Sequence, residues 1–300
     1  MDLIHKNYLR SSGAGDTWQV EIDPPSRKVG SYYEEAVIAA EIIWEKKQGT
    51  LYLCYSGGLD SEFVLNVFLS LGMNIKPVIM QTQYNYHETK YAYKMCIEKN
   101  LDPIVIPLNY DTFVKSGKFL EIASQIQSAA HQMPSNMWLT SQLDGTVITG
   151  NDPPHMKKYK DQWYLDEEEV IHTQLRYFEK NKIYGTPFFL TYTPELMTSF
   201  LLDPIMQQLA DNKILGKTGT NSTKVQVFNN NNGKFELEQR VKLSGYEKVI
   251  DSPIFNHPDI KLVESWKNKW WGTSDHLYSD FISKMQSGTI SIAKAATLTN

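Results

Sequence analysis

Cysteine is scarce in this 300-residue chain: only Cys54 and Cys96 occur, with no CxxC pair. That excludes a disulfide scaffold and a cysteine-rich structural zinc site. Long apolar runs are missing as well. None approaches the roughly 20 residues that a membrane span needs, and the opening MDLIHKNYLRSSG lacks the apolar stretch of a secretory signal. Nor is there an excess of positive charge. Thirty Lys and Arg against 34 Asp and Glu leave a net charge of -4, so binding to nucleic acid through bulk charge is not expected. No internal repeat of 20 to 50 residues is present. What is left is a chain with 41% hydrophobic content, enough for one sizeable core with a smaller lobe attached. A cytoplasmic location is expected, away from any membrane.

Apolar periodicity orders the middle of the chain. Residues 1–30 are polar and turn-rich. SYYEEAVIAAEIIWEKKQG carries apolar residues at helical spacing, and TLYLCYS is short, apolar and turn-bounded, as a buried strand is. A helical stripe from Phe63 to Leu71 follows, then the strand IKPVIMQ, a helix over HETKYAYKMCIEKN and the strand DPIVIPL. Strands alternating with helices predict a doubly wound α/β fold with a parallel sheet. Further helix is expected from about Phe119 to Ala130, over 166–182 and over 194–211. GTVITG reads as a fourth parallel strand. From residue 216 the character changes: KVQVFNNNNGKFELEQRV has two strand-like runs about an Asn-Gly turn, the pattern of a β-hairpin. The chain thus divides into an N-terminal extension (1–30), an α/β domain (31–212) and a hairpin-plus-helix lobe (213–300).

One stretch is chemically unusual. Between the first buried strand and its helix lie Ser56, Gly57, Gly58, Leu59, Asp60 and Ser61. Adjacent glycines let backbone approach a ligand and present its N–H groups, and the following helix adds its positive end. Two hydroxyls supply further donors. Asp60 would repel a phosphate directly and is better placed as a magnesium ligand. Other phosphate motifs fail: Gly216-Lys217-Thr218 has Asp211 where a Walker A loop needs glycine, and no GxGxxG follows this strand.

SGGLDS after a strand, early in an alternating α/β segment, resembles the pyrophosphate loop of the N-type ATP pyrophosphatase (PP-loop) superfamily. The resemblance covers about residues 30–210 and is nearest in outline to the synthetase domain of asparagine synthetase. It implies ATP and Mg2+, adenylation of a substrate oxygen with release of pyrophosphate, and displacement of AMP by a nitrogen nucleophile. Carried over, Ser56 to Ser61 hold the pyrophosphate and its magnesium. Leu53, Cys54 and Tyr55 with Met80 and Gln81 flank the adenosine, Thr149 and Gly150 close the ATP site, and Asp152 is a second metal ligand. Asn151 stands where asparagine synthetase has a glutamate, and residue 2 is Asp2, so an N-terminal cysteine glutaminase is not expected. The resemblance therefore implies a small-molecule acid or amide acceptor with ammonia or another amine, or a nitrogen-donating partner protein. A nucleobase or tRNA modifier, and a non-catalytic nucleotide-binding module, are the alternatives.

Attack at the α-phosphate also calls for a catalytic cation, because charge builds there. Arg240 and Lys242 share one face of the expected hairpin strand and are the candidates, with Asp60, for the catalytic group. Glu88, in the first turn of its helix, could face the nucleotide pocket. His131 and His155 lack partner spacing for a metal. Trp266, Trp270 and Trp271 read as a tail helix packing on the core.

Overall fold

The computed structural model describes residues 9–14, 17–22, 24–126, 128, 130–151, 153–159, 162–166, 170–210, 220–238, 246–266, 273–274, 283 and 295–296. An antiparallel pair, β1 (Leu9–Ala14) and β2 (Thr17–Ile22), lies within the stretch expected to be only turn-rich. Then come α1 (Tyr32–Lys46), β3 (Leu51–Cys54), α2 (Leu59–Ser70), β4 (Lys76–Gln81), α3 (Tyr86–Glu98) and β5 (Ile104–Pro107). Three helices follow, α4 (Tyr110–Lys115), α5 (Lys118–Ile126) and α6 (Met133–Thr140), leading into β6 (Thr146–Thr149). The pair β7 (His155–Tyr159) and β8 (Gln162–Asp166) precedes α7 (Val170–Lys180) and β9 (Gly185–Thr186). The chain continues with α8 (Pro194–Leu202), α9 (Pro204–Ala210), α10 (Thr220–Asn229), α11 (Glu247–Ile250) and, after a 3-10 turn at Pro253–Asn256, α12 (Pro258–Glu264). Short β10 (Thr273–Ser274) and β11 (Ala295–Ala296) join the β1–β2 sheet.

The central sheet has five strands in the order β5-β4-β3-β6-β9, and every neighbouring pair is parallel. Its residues alternate between two apolar layers. Leu51, Leu53 and Tyr55 enter the layer of α1, α2 and α8, while Tyr52 enters the layer of α5, α6 and α7 and Cys54 packs against it. The fold is the expected doubly wound, Rossmann-like α/β sheet. Successive strands run outward from β3 to β5, then restart on the other side of β3 at β6. The carboxyl ends of β3 and β6 therefore border a topological switch point, where such sheets bind ligands.

Local chemistry explains the boundaries that frame this crevice. Ser31 and Glu34 form a reciprocal capping box that starts α1. Gly72, at φ +67°, ends α2. The expected hairpin beyond residue 216 is not formed. Its first arm, Lys224 to Phe228, lies within α10, while its turn is present: Asn232 and Gly233 both adopt positive φ. The side chain of Asn229 then donates to the carbonyl of Leu237 (3.0 Å) and accepts from its N–H (2.8 Å), taking up the returning backbone that a second strand would have paired. Burial decides the difference, because Thr223, Lys224, Val225, Val227 and Phe228 are all buried, a helical and not an alternating set. Described residues beyond 212 enter both apolar layers: Phe228 and Leu237 one, Tyr246, Val249 and Ile260 the other.

Candidate functional site

Ser56–Ser61 leaves the carboxyl end of β3 and becomes the first turn of α2. Gly57 has φ +87°, and a Cβ there would lie 2.8 Å from the Ala92 nitrogen and 3.0 Å from the Glu88 carbonyl oxygen. The loop thus rests directly on α3, and only glycine permits both the approach and the conformation. Gly58, by contrast, is the α2 N-cap at φ -76°, and a Cβ there meets only the Ser56 hydroxyl. The two hydroxyls knit the loop together. Gly58 N–H donates to Ser56 Oγ at 3.1 Å, Ser61 Oγ donates to the Gly58 carbonyl at 3.0 Å, and the hydroxyls lie 3.3 Å apart. Gly57→Ala is therefore expected to lower stability by more than about 1 kcal/mol and to disorder the loop, whereas Gly58→Ala is expected to fold normally. Thermal unfolding of both variants checks the contrast.

At the end of β6, Gly150 meets the same turn. A Cβ on Gly150 would lie 2.7 Å from the Cα of Ser61 and 2.9 Å from its nitrogen, so the two strand ends close on each other through bare backbone. Asn151 is fixed by donating to Gln174 Oε1 (2.7 Å) and to the Pro187 carbonyl (2.9 Å).

The cation beside the loop comes from an element that the sequence pattern concealed. Lys224 of α10 places its Nζ 2.7 Å from Asp60 Oδ2, and its side chain is only 5% exposed. A buried ammonium is thus paired with the loop carboxylate. Arg240 and Lys242, the expected cations, lie outside the described residues, as does Asp152. The signal that could have found Lys224 was a lysine embedded in an apolar run, TKVQVF, which reads equally as strand.

A cavity of about 160 Å³ opens beside the loop. Of the residues expected from sequence, Cys54, Tyr55, Ser56, Ser61, Met80, Thr149 and Gly150 line it, whereas Gly57, Gly58, Leu59 and Asp60 do not. Leu53 is instead fully buried in the core. Gln81 turns to α3, accepting from Thr89 (3.2 Å) and Tyr93 (3.1 Å) and donating to the Thr82 carbonyl (3.0 Å). Burial pushes the Cys54 thiol up to about 12, so it lines the cavity as a small apolar group and not as a nucleophile. Glu88 lines the same cavity, and burial, with the charge of Glu247, pushes its carboxyl up to about 8. The remaining wall, from α6, was not anticipated: Gln132, Asn136, Met137 and Leu139.

No family model matches the chain, and no curated protein matches it. Among solved structures, it is similar to the NMN synthetase from Francisella tularensis at 15% identity over 71% of this chain and 98% of that one, with a TM-score of 0.34. It is also similar to an NH3-dependent NAD synthetase from Campylobacter jejuni at 15% identity over 70% and 98%, TM-score 0.31. A predicted subunit of tRNA methyltransferase from Methanocaldococcus jannaschii matches at 13% identity over 64% and 93%, TM-score 0.31.

Magnesium can be tested against the residues present. Among the described residues no group of three or more His, Cys, Asp or Glu could hold a metal. Asp60 could still be a ligand, because magnesium is commonly held by one carboxylate plus phosphate oxygens, and the ion would then share this carboxylate with Lys224.

Proposed function

We propose that the protein is an ATP pyrophosphatase of the PP-loop type: an AMP-forming ligase that adenylates an oxygen of a second substrate. The asparagine synthetase-like version, with ammonia or an amine as the displacing nucleophile, is the nearest outline. One observation carries the reading. A Ser-Gly-Gly-Leu-Asp-Ser loop lies at the switch point of a doubly wound sheet, with a buried lysine held against its aspartate.

The chain's own groups account for the chemistry by position and charge. Backbone N–H groups at the start of α2, with the positive end of that helix, would receive the β- and γ-phosphates. Asp60 would hold magnesium on the pyrophosphate, the ion supplying charge neutralisation of the leaving group when bound. The acceptor oxygen would form its bond to the α-phosphorus as the bond from that phosphorus to the bridging oxygen breaks, and pyrophosphate leaves. Lys224, held against Asp60, would supply the positive charge for that step. The amine nitrogen would then bond to the activated carbon, AMP leaving with the acceptor oxygen and a proton leaving the nitrogen.

The test is pyrophosphate release from ATP and magnesium by the wild-type protein, offered pooled acids, amides and tRNA with ammonium. Release dependent on one pool is expected. A wild-type protein that binds no ATP would sink the reading, and binding without release from any pool would favour the nucleotide-binding module.

A further inference from the structure

Beyond the phosphate loop, the cavity holds polar groups that phosphates do not need. Glu88, in the first turn of α3, lines it beside Ser56 and Ser61, and its carboxyl makes no hydrogen bond or ion pair with a described residue. On the α6 wall, Gln132 and Asn136 stand one helical turn apart, and neither carboxamide is hydrogen-bonded to a described residue. Asn85 differs: it is fully engaged by Thr82 N–H (2.8 Å), Gln81 (3.3 Å) and the Met80 carbonyl (2.8 Å) and only shapes the turn. Val78, Met80, Met137 and Leu139 supply apolar surface. No Lys, Arg or His lines the cavity among the described residues.

That set of groups defines a ligand. An anionic acceptor would bury its charge beside a carboxyl with no cation among the described residues of the walls, which is costly. Two carboxamides and a carboxyl with no side-chain hydrogen bond to a described residue match a flat group carrying both donors and acceptors, and the methionine and aliphatic side chains match its faces. We propose that Glu88, with Gln132 and Asn136, is a specificity-determining residue that reads the hydrogen-bonding edge of an uncharged nitrogen heterocycle. The inference rests on the ATP pyrophosphatase reading and names what the same site selects. The ring is either the adenine of ATP or a nucleobase on the acceptor.

The protonation state fits the role. A neutral carboxyl presents an O–H donor beside a C=O acceptor, as an amide does, and Glu88 is held neutral near pH 7. The titratable groups around it are Glu247 and Tyr246 from α11 and its N-cap, His87 from α3, and Cys54 and Tyr55 from β3 and the residue after it. The Asp60–Lys224 pair lies on the loop side. Glu247 is 3.4 Å from His87, burial pushes Cys54 and Tyr246 upward, and Glu88 changes charge near pH 8. Binding that needs its proton is present below pH 8 and lost as pH rises through it.

Calorimetry with wild type, Glu88→Gln and Glu88→Ala tests this, using magnesium ATP, magnesium tripolyphosphate, and the four common nucleosides added to tripolyphosphate-saturated protein. Glu88→Ala is expected to weaken the ring-bearing probe by about tenfold or more, the worth of about 1.4 kcal/mol, and to leave tripolyphosphate unchanged. Glu88→Gln keeps donor and acceptor and should bind the ring like wild type. Between pH 7 and 9 wild type should lose about tenfold in affinity for the ring, and Glu88→Gln should lose none. A loss confined to ATP assigns the ring to adenine, and a loss confined to one nucleoside assigns it to the acceptor. Equal losses for tripolyphosphate and ATP, or no loss in Glu88→Ala, would overturn the proposal while leaving the phosphate site standing. Wild type binding neither ATP nor tripolyphosphate would overturn both readings together.

Discussion

Lys224→Met is expected to slow ATP-dependent pyrophosphate release by about 100- to 1000-fold, the usual cost of removing one preorganised charge from a developing oxyanion. Methionine keeps the length and apolar contacts of the lysine stem and removes only the ammonium 2.7 Å from Asp60. Two effects are then superimposed. Charge stabilisation at the α-phosphate is lost, and a largely buried carboxylate loses a cation, which by itself can cost about 3–5 kcal/mol of stability. A second variant separates them. In Lys224→Met/Asp60→Asn both charges are gone, and removing a buried pair together is often close to neutral for folding. Its Tm is therefore expected to recover most of what Lys224→Met loses, while pyrophosphate release stays as slow as in either single variant. Recovery of stability and release together would show that Lys224 only neutralises Asp60. If Lys224→Met retained full release at unchanged KM for ATP, the cation assigned to the transition state would have to lie elsewhere in the chain.

The sheet and the loop were legible in the sequence because each is locally encoded. Leu51 to Cys54 is apolar throughout, as a strand covered on both faces must be, and the glycines, hydroxyls and aspartate that follow sit within six residues. Periodicity failed where tertiary packing chose between two fits. Val225 and Val227 alternate with Lys224 and Gln226 as strand residues do, and the Asn-Gly turn beyond them invited the hairpin, whereas Thr223, Lys224, Val227 and Phe228 share a helical face. The helix prevails because its face meets α2, and that contact lies about 160 residues away in sequence, invisible to any local window. The same reason hid Lys224. The α6 wall was hidden differently: Gln132 and Asn136 are unremarkable surface residues in sequence, and only the crossover from β5 to β6 turns them toward the ends of β3 and β4. Asn151 stands where the resemblance to asparagine synthetase leads one to expect a glutamate, yet here its amide braces α7 through Gln174, a structural use that the motif alone would not reveal.

Phe228→Ala is expected to cost about 3–5 kcal/mol of unfolding free energy, a drop that urea titration measures directly. The Phe228 ring is fully buried and stacks on Phe63 at 4.4 Å between centroids and on Tyr32 at 5.8 Å, with Phe200 at 6.4 Å. Beyond the area lost from water, each well-placed aromatic pair contributes about 0.5–1.5 kcal/mol. The consequence for function follows from spacing. Phe228 is one helical turn after Lys224 on α10, and Phe63 is one turn after Asp60 on α2, so the two helices are joined at both points by pairs one turn apart. Removing the aromatic contact loosens the helix that carries the ammonium. Phe228→Ala, assayed at a temperature where it remains folded, is expected to lose pyrophosphate release as well as stability, whereas Phe228→Leu should keep most of both. Hydrogen exchange across α10 provides the structural readout: its amides should exchange faster in Phe228→Ala, and those of β3 should not. Unchanged protection in α10, with a loss below about 1 kcal/mol, would mean that something other than this stack holds Lys224 against the loop.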